Sequence, residues 1–432
     1  MAIWQPTLTG PHGAQVGSSP TELLEACVAF HRTFFDVNPK GAATAPATWT
    51  LIGEHSDYAG GVVLAANANW RTAVAVNKNR DDVVNVCVVD VEGGVEKHSL
   101  STADIAARAH AHMKSHDVLG RQTTPPQPEG GVAARLGGIA WTMIHKQMLS
   151  RDTKGLDITV LSTIPEGVGL GENSAMDVAL ALALYRENIE EAPTKARIAE
   201  ICSQSAFMFS ETSVLRARHT VALRGETGQI SVVDYADGSV TQAPHPVSRS
   251  AGLSAFVVVA AQTETDPSIY REIYARHAFI DEAARAFSVE SLRLLPDAST
   301  RVVDWLQAVI EVTGREDLPS IEQAQRWLNL WENETRRAQR TANALRSRRL
   351  SEFSELLMES QDDLSDTFDF PPADLALARL CVERGATAAR STSARGVIAL
   401  VDAHHAHNFA ADLSEDGLLV VPLGHGDVAE QG

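Results

Sequence analysis

Between residues 48 and 89 the chain spells four strand-forming runs in close succession: Thr48–Ile52, Gly61–Ala66, Thr72–Val76 and Val83–Val89, bounded by Gly, Asn and Asp. A βαβ unit needs a crossover of roughly a dozen residues between its strands, so this spacing predicts an antiparallel or mixed sheet. Downstream the period changes. Helices are expected over Thr102–His116, Val132–Leu149, Ser174–Arg186 and 194–210, with strands at Asp157–Leu161 and Gln229–Tyr235. The Pro/Ser/Gly stretch Ala243–Gly252 reads as a boundary, followed by an apolar strand, Leu253–Ala261. Helical patterning then runs through 266–288, 299–313, 320–347 and 349–361, stops at Pro371–Pro372, and gives way to a buried strand at Gly396–Val401. At 432 residues the chain is two to three ordinary domains long. The expectation is an α+β protein with domains at 1–246 and 247–432.

Charge narrows the function classes. Fifty-five acidic against 37 basic residues leave a formal net charge of −18, which argues against nucleic-acid or anionic-membrane partners. Any phosphate site must then be made locally, from cations or backbone amides. The N-terminus MAIWQPTLTGPHG lacks the basic and apolar regions of a signal peptide, and no apolar run reaches the ~18 residues of a membrane span, so the chain reads as cytoplasmic. Cys27, Cys87, Cys202 and Cys381 sit in apolar stretches without C-x-x-C spacing and read as buried reduced thiols.

The segment Leu51–Leu64, LIGEHSDYAGGVVL, places Glu54, His55 and Asp57 between two apolar strands. Such a group suits the gripping of sugar hydroxyls, since carboxylates and an imidazole accept and donate several hydrogen bonds. It also suits a structural polar turn, with His55 capping a backbone carbonyl.

The string resembles the galactokinase signature, roughly G-R-x-N-L-I-G-E-H-x-D-Y-x-x-G-x-V-L. The likeness extends along the chain. Ser162–Ala179, STIPEGVGLGENSAMDVA, is similar to the family's phosphate loop, and FSELLMESQDDLSDTFDF within 349–384 to its late helix. The resemblance implies a two-lobe GHMP-kinase fold of the α+β class: an N-terminal mixed-sheet domain with ribosomal S5 domain 2-like topology and a C-terminal α+β domain, with substrates in the cleft between lobes. It implies that Glu54, His55, Asp57 and Tyr270 face the sugar, galactose or a related hexose. It implies that Gly167, Gly169, Leu170, Gly171 and Ser174 serve ATP, with Mg2+ as the partner ion, and that the family reaction moves the γ-phosphoryl group to the anomeric hydroxyl.

Against that pattern several groups are missing. The family's catalytic Arg falls on Thr48 and its neighbouring Asn on Thr50. The position of the proton-accepting Asp falls on Arg218 and that of the magnesium Glu on Ala206, so no metal ligand is assigned; the nearest acid is Glu211. Gly171, Glu172 and Asn173 replace the loop's serine run. An ionised Glu172 ~4 Å from a phosphate charge would repel it by roughly 4 kcal/mol at an effective dielectric of ~20. The turn also reads as a plain helix start, with Ser174 and Asp177 spaced as a capping box. The third family motif survives only as Gly385–Gly396, GATAARSTSARG, expected as a loop whose Arg390 and Arg395 either serve an anion or, as lone surface arginines commonly do, face water. His404, His405 and His407 lack neighbouring ligands for a metal. The arginines from Arg336 to Arg349 read as a solvated, salt-bridged helix face rather than an anion site, and Trp305, Trp327 and Trp331 as core or helix packing. Two functions follow from these features: a galactokinase-type ATP-dependent sugar phosphotransferase with altered catalytic residues, or a non-catalytic sugar-binding or regulatory relative that has lost Mg-ATP.

Overall fold

The computed structural model describes residues 3–13, 15–17, 19–113, 128–212, 215–247, 252–260, 267–367, 372–392 and 396–432. The chain opens with a short hairpin, β1 (Leu8–Thr9) and β2 (Gln15–Val16), and helix α1 (Pro20–Phe35). Strands β3 (Gly41–Ile52), β4 (Val62–Asn79), β5 (Val83–Val89) and β6 (Val95–Ser101) follow, then α2 (Thr102–Met113), α3 (Gly131–His145) and β7 (Gly155–Ser162). Next come α4 (Glu172–Leu184), α5 (Ala192–Phe209), α6 (Arg216–Arg224) and the hairpin β8 (Gln229–Asp234) and β9 (Ser239–Pro244). After β10 (Leu253–Val259) run α7 (Pro267–Ala286), α8 (Ala298–Thr313), α9 (Ile321–Arg346), α10 (Leu350–Thr367) and α11 (Pro372–Glu383). Strands β11 (Ala386–Ser391) and β12 (Gly396–Asp402), α12 (Ala406–Glu415), β13 (Leu419–Leu423) and β14 (Glu430–Gln431) complete the chain.

Two compact units emerge. One holds residues 4–49, 67–227 and 425–432. Its sheet runs β14-β3-β4-β7-β5-β6. Strand β7 pairs antiparallel with β4 from Thr72↔Ser162 to Asn79↔Gly155 and parallel with β5, giving the mixed sheet expected from the spacing. Helix α1 packs Leu23, Cys27 and Phe30 onto Ala73, Ala75 and Leu161 of that sheet. In α4 every residue from Ser174 to Leu184 is buried. A helix apolar around its whole circumference belongs inside a core, not on a surface.

The other unit comprises residues 50–66 and 228–424, with Ile3. The sequence boundary placed at Ala243–Gly252 falls inside it. Its four-stranded antiparallel sheet has the order β11-β12-β10-β13. Helices α11 and α12 cover that sheet through Leu377, Cys381, Phe409 and Leu413. A second core joins α7, α8 and α9 through Phe279, Val302, Leu306, Trp327 and Trp331, with Trp305 packed beside it, and reaches Ala59 of the signature turn. The tryptophans are helix packing, as their spacing predicts.

Three expectations are corrected. The runs 61–66 and 72–76 are one strand, β4, because the intervening Asn67–Arg71 stays extended and largely buried. The segment 385–396 is no open loop: 386–391 forms β11, paired from Ala386↔Val401 to Ser391↔Val397. Arg390 is therefore buried, 1% exposed, while Arg395 lies outside the described residues. Arg337 is also buried, so the α9 arginines are not uniformly a solvated face. All four cysteines are buried and free. Among the described residues no helix is long and apolar enough to cross a membrane.

Candidate functional site

The signature turn, residues 53–61, joins β3 to β4. Gly53 has φ +90, and a Cβ there would stand 2.1 Å from the Val62 carbonyl oxygen, so only glycine lets the two strands close. His55 adopts φ +68, a left-handed conformation uncommon outside glycine. Ser56 Oγ donates to the Gly53 carbonyl at 2.7 Å and closes the turn. Glu54, His55 and Asp57 are 2%, 8% and 1% exposed, a concentration of polar groups that water does not support.

Side chains from three distant segments support it instead. Arg390 on β11 places Nη1 at 3.1 Å from Glu54 Oε2, Nη2 at 3.2 Å from Glu334 Oε1, and Nε at 2.9 Å from Ser360 Oγ. Glu334 on α9 accepts the Gly53 amide at 2.9 Å and the Ser360 hydroxyl at 2.8 Å, and takes Arg337 Nη1 on its other oxygen at 2.6 Å. Isolated buried charges cost several kcal/mol each, and here two carboxylates meet two guanidinium groups. On the next turn residue, Tyr58, the ring lies 3.9 Å from the His277 ring centroid, with the Arg276 guanidinium 5.5 Å above it. Burial pushes the Tyr58 hydroxyl well above the usual phenol range, against the pull of Arg276. Tyr270 falls on α7, but its side chain lies outside the described residues.

The glycine loop belongs to the other unit. Gly167, Gly169 and Gly171 all have φ between +68 and +82, and Gly171 caps the N-terminus of α4. Beside Gly167 there is open space. Gly171 is crowded: a Cβ there would meet Thr48 Oγ1 at 2.6 Å and Arg218 Nη1 at 2.9 Å. Thr48 donates its amide to the Leu170 carbonyl at 2.9 Å, and Arg218 Nη1 donates to the Thr48 carbonyl at 2.5 Å. Thr48 and Arg218, expected at the family's Arg and Asp positions, thus pack together beside the loop. Leu170 and Ser174 are buried.

The expected capping box is absent. Gly171 is the cap residue and makes no side-chain bond. Asp177 points instead into a buried network, with Oδ1 accepting Arg135 Nε at 2.8 Å, and Oδ2 accepting Arg135 Nη2 at 2.5 Å and lying 3.0 Å from His219 Nε2. His219 continues to Ser203, Nδ1 to Oγ at 3.0 Å, so four helices, α3 to α6, share one polar centre. Burial raises the Asp177 carboxyl, but the Arg135 charge and the bonds from His219 and Arg135 outweigh it and hold the group below the usual carboxylate range. Glu172 is the reverse case. Although the residue is partly exposed, its carboxyl is enclosed, and burial with the Glu166 charge pushes it up to about 8 against Arg135. At pH 7 that group is mostly neutral, so the repulsion expected of an ionised Glu172 is muted in the loop by itself.

Ala206, expected at the family's magnesium position, is buried in α5. Glu211, the nearest acid in sequence, accepts the Gly130 and Gly131 amides at 2.7 and 2.8 Å and so caps α3. Among the described residues no three His, Cys, Asp or Glu side chains gather as a metal-binding set, the histidines at 404, 405 and 407 included. The sequence offered no sign that Glu334, Ser360 and Arg390 meet behind Glu54, because they lie 26 to 56 residues from one another and Arg390 lies 336 from Glu54. The α9 pair alone had a signal, the i,i+3 spacing of Glu334 and Arg337.

Comparison with known proteins places both features. The model of the galactokinase galactose-binding signature matches residues 29–78, and that of the GHMP kinases N-terminal domain matches 136–213. A galactokinase of Streptomyces coelicolor is 25% identical over 367 residues, 84% of each chain. The crystal structure of Lactococcus lactis galactokinase complexed with galactose is similar at a TM-score of 0.68 and 16% identity, covering 94% of this chain and 99% of that one. Methanococcus jannaschii mevalonate kinase is similar at a TM-score of 0.53 and 11% identity, with 89% and 98% covered. These likenesses bear out the two-lobe GHMP-kinase fold.

Proposed function

We infer that this chain, a divergent member of the galactokinase family of GHMP kinases, binds galactose or a related hexose and transfers phosphate weakly or not at all. The sugar would be held by Glu54, His55 and Asp57, with Tyr270 as a fourth contact. The signature turn supports that assignment: its three polar groups are buried and Glu54 is oriented and charge-balanced by Arg390, a costly arrangement that a plain connecting turn does not need. Carboxylates fixed in this way accept hydrogen bonds from hydroxyls in defined directions.

The observation that carries the second half is Arg218, whose guanidinium is hydrogen-bonded to Thr48 where the family places a proton-accepting acid. A guanidinium donates and cannot take a proton from an attacking hydroxyl. Mg-ATP does not fit the residues around the loop. The metal carboxylate is replaced by Ala206, the serine run by Gly171, Glu172 and Asn173, and the space beside Gly171 is filled by Thr48 and Arg218. Of Gly167, Gly169, Leu170 and Ser174, only Ser174 offers a hydroxyl, and it is buried. Phosphoryl transfer relies almost wholly on positioning and charge neutralisation, and little of either is left.

Calorimetric titration with galactose and with Mg-ATP, beside a coupled turnover assay, tests this. The expected result is galactose binding, weak or no Mg-ATP binding, and little galactose-dependent turnover. A rate on the order of 1 s⁻¹ or more, the ordinary kinase range, would refute it.

A further inference from the structure

We propose that Arg390 is a positioning residue for sugar recognition, holding the Glu54 carboxylate in the orientation from which it meets the ligand. This rests on the reading of the signature turn as the sugar site. All three guanidinium nitrogens of Arg390 are engaged, with Glu54, Glu334 and Ser360, so the planar fork cannot turn without breaking every contact. The same Glu334 carboxylate accepts the Gly53 amide. One charge centre therefore fixes the backbone on one side of Glu54 and, through Arg390, its side chain. Arg337 and Ser360 in turn fix Glu334, and Arg337 is tied to Asp363 at 2.5 Å on α10.

Stability alone is a poor account of this cluster. Well-packed apolar side chains of similar volume commonly stabilise as much as a buried ion network or more. What apolar packing cannot do is aim a carboxylate. A group that must present one oxygen to a hydroxyl gains from having its other oxygen held by a partner that cannot rotate.

The test compares galactose affinity, by calorimetry on the full chain, for wild type, Arg390→Met, Arg390→Lys and Val302→Ala. Val302 lies on α8, an element that supplies no residue to the Arg390 cluster, and serves as a control for lost stability. The expected result is a loss of tenfold or more in affinity for Arg390→Met, partial recovery with lysine, and wild-type affinity for Val302→Ala measured at the same distance below its melting temperature. Should Arg390→Met not accumulate as folded protein, Arg390→Lys is compared with Val302→Ala in the same way, and a loss of threefold or more is expected. Wild-type affinity in the Arg390 variants, or an equal loss in Val302→Ala, overturns the positioning role and leaves the sugar reading intact. A wild type that binds no hexose overturns both.

Discussion

Asp177→Asn is the sharpest test of how the loop-bearing helix is held. Asp177 is fully buried, with both oxygens engaged by Arg135 and His219, and Arg135 is only 4% exposed. The amide keeps the volume and removes the charge, leaving the Arg135 guanidinium buried with no carboxylate. Removing one partner of a buried pair typically costs about 3–5 kcal/mol. In a unit of roughly 200 residues each kcal/mol lowers the melting temperature by about 2–4 °C, so the expected fall is about 6–20 °C. Differential scanning calorimetry at pH 7 measures it. The double change Arg135→Met with Asp177→Leu should recover much of the loss, because it leaves no unpaired charge. The pH dependence supplies a second readout. A carboxyl whose folded pKa lies below its ordinary 3.8 binds fewer protons folded than unfolded, so its contribution is present above 3.8 and is lost as pH falls through the folded value. Wild type should lose stability below about pH 4 more steeply than Asp177→Asn. A fall under about 2 °C at pH 7, or identical acid limbs, would mean that water or another acid neutralises Arg135 and that the four-helix centre is not what holds α4.

Other substitutions probe the remaining parts. Gly171→Ala should destabilise by about 1–3 kcal/mol, from the left-handed φ and the clash with Thr48 and Arg218, read as a lowered melting temperature. A neutral effect would mean that the loop is not packed as described. Glu172→Gln should flatten the pH profile between about 4.5 and 8. An acid whose folded pKa is raised to about 8 stabilises the fold most when both states are protonated, and this contribution is lost as pH rises through that window. The variant should therefore melt above wild type at pH 8 and close to it at pH 4.5, and parallel curves would contradict the assignment. Arg218→Asp, which returns an acid to the family's catalytic position, should leave turnover below ~1 s⁻¹ in a coupled assay, since the serine run and metal carboxylate are still missing. Full kinase activity from that one change would show that Arg218 alone blocks the reaction.

Much of the candidate site was legible because it is local. Glu54, His55 and Asp57 lie within four residues, and their polarity amid β-branched runs marks a turn with a purpose. Gly167, Gly169 and Gly171 permit a left-handed backbone at little steric cost, and all three adopt one. Helix α1 carries a legible local sign, since Ser19 and Glu22 form a capping box around Pro20. Helix α6 carried none. Residues Ala217 to Leu223 are buried without any amphipathic period, and an all-buried helix leaves no periodic trace.

By itself the sequence determined the mixed sheet, the strand-turn-strand of the signature, the glycine loop and the helical run of the second half. Each is set by spacing along the chain or by a residue's own backbone limits. Tertiary structure alone decided what each charge does. Arg390 looked like a solvated loop residue and lies at the centre of a buried cluster, Asp177 looked like a helix cap and joins four helices, and Arg218 closes onto Thr48. The physical reason is distance along the chain. A charge's role depends on the partner that neutralises it, and these partners lie between 42 and 336 residues away, where no local pattern reaches.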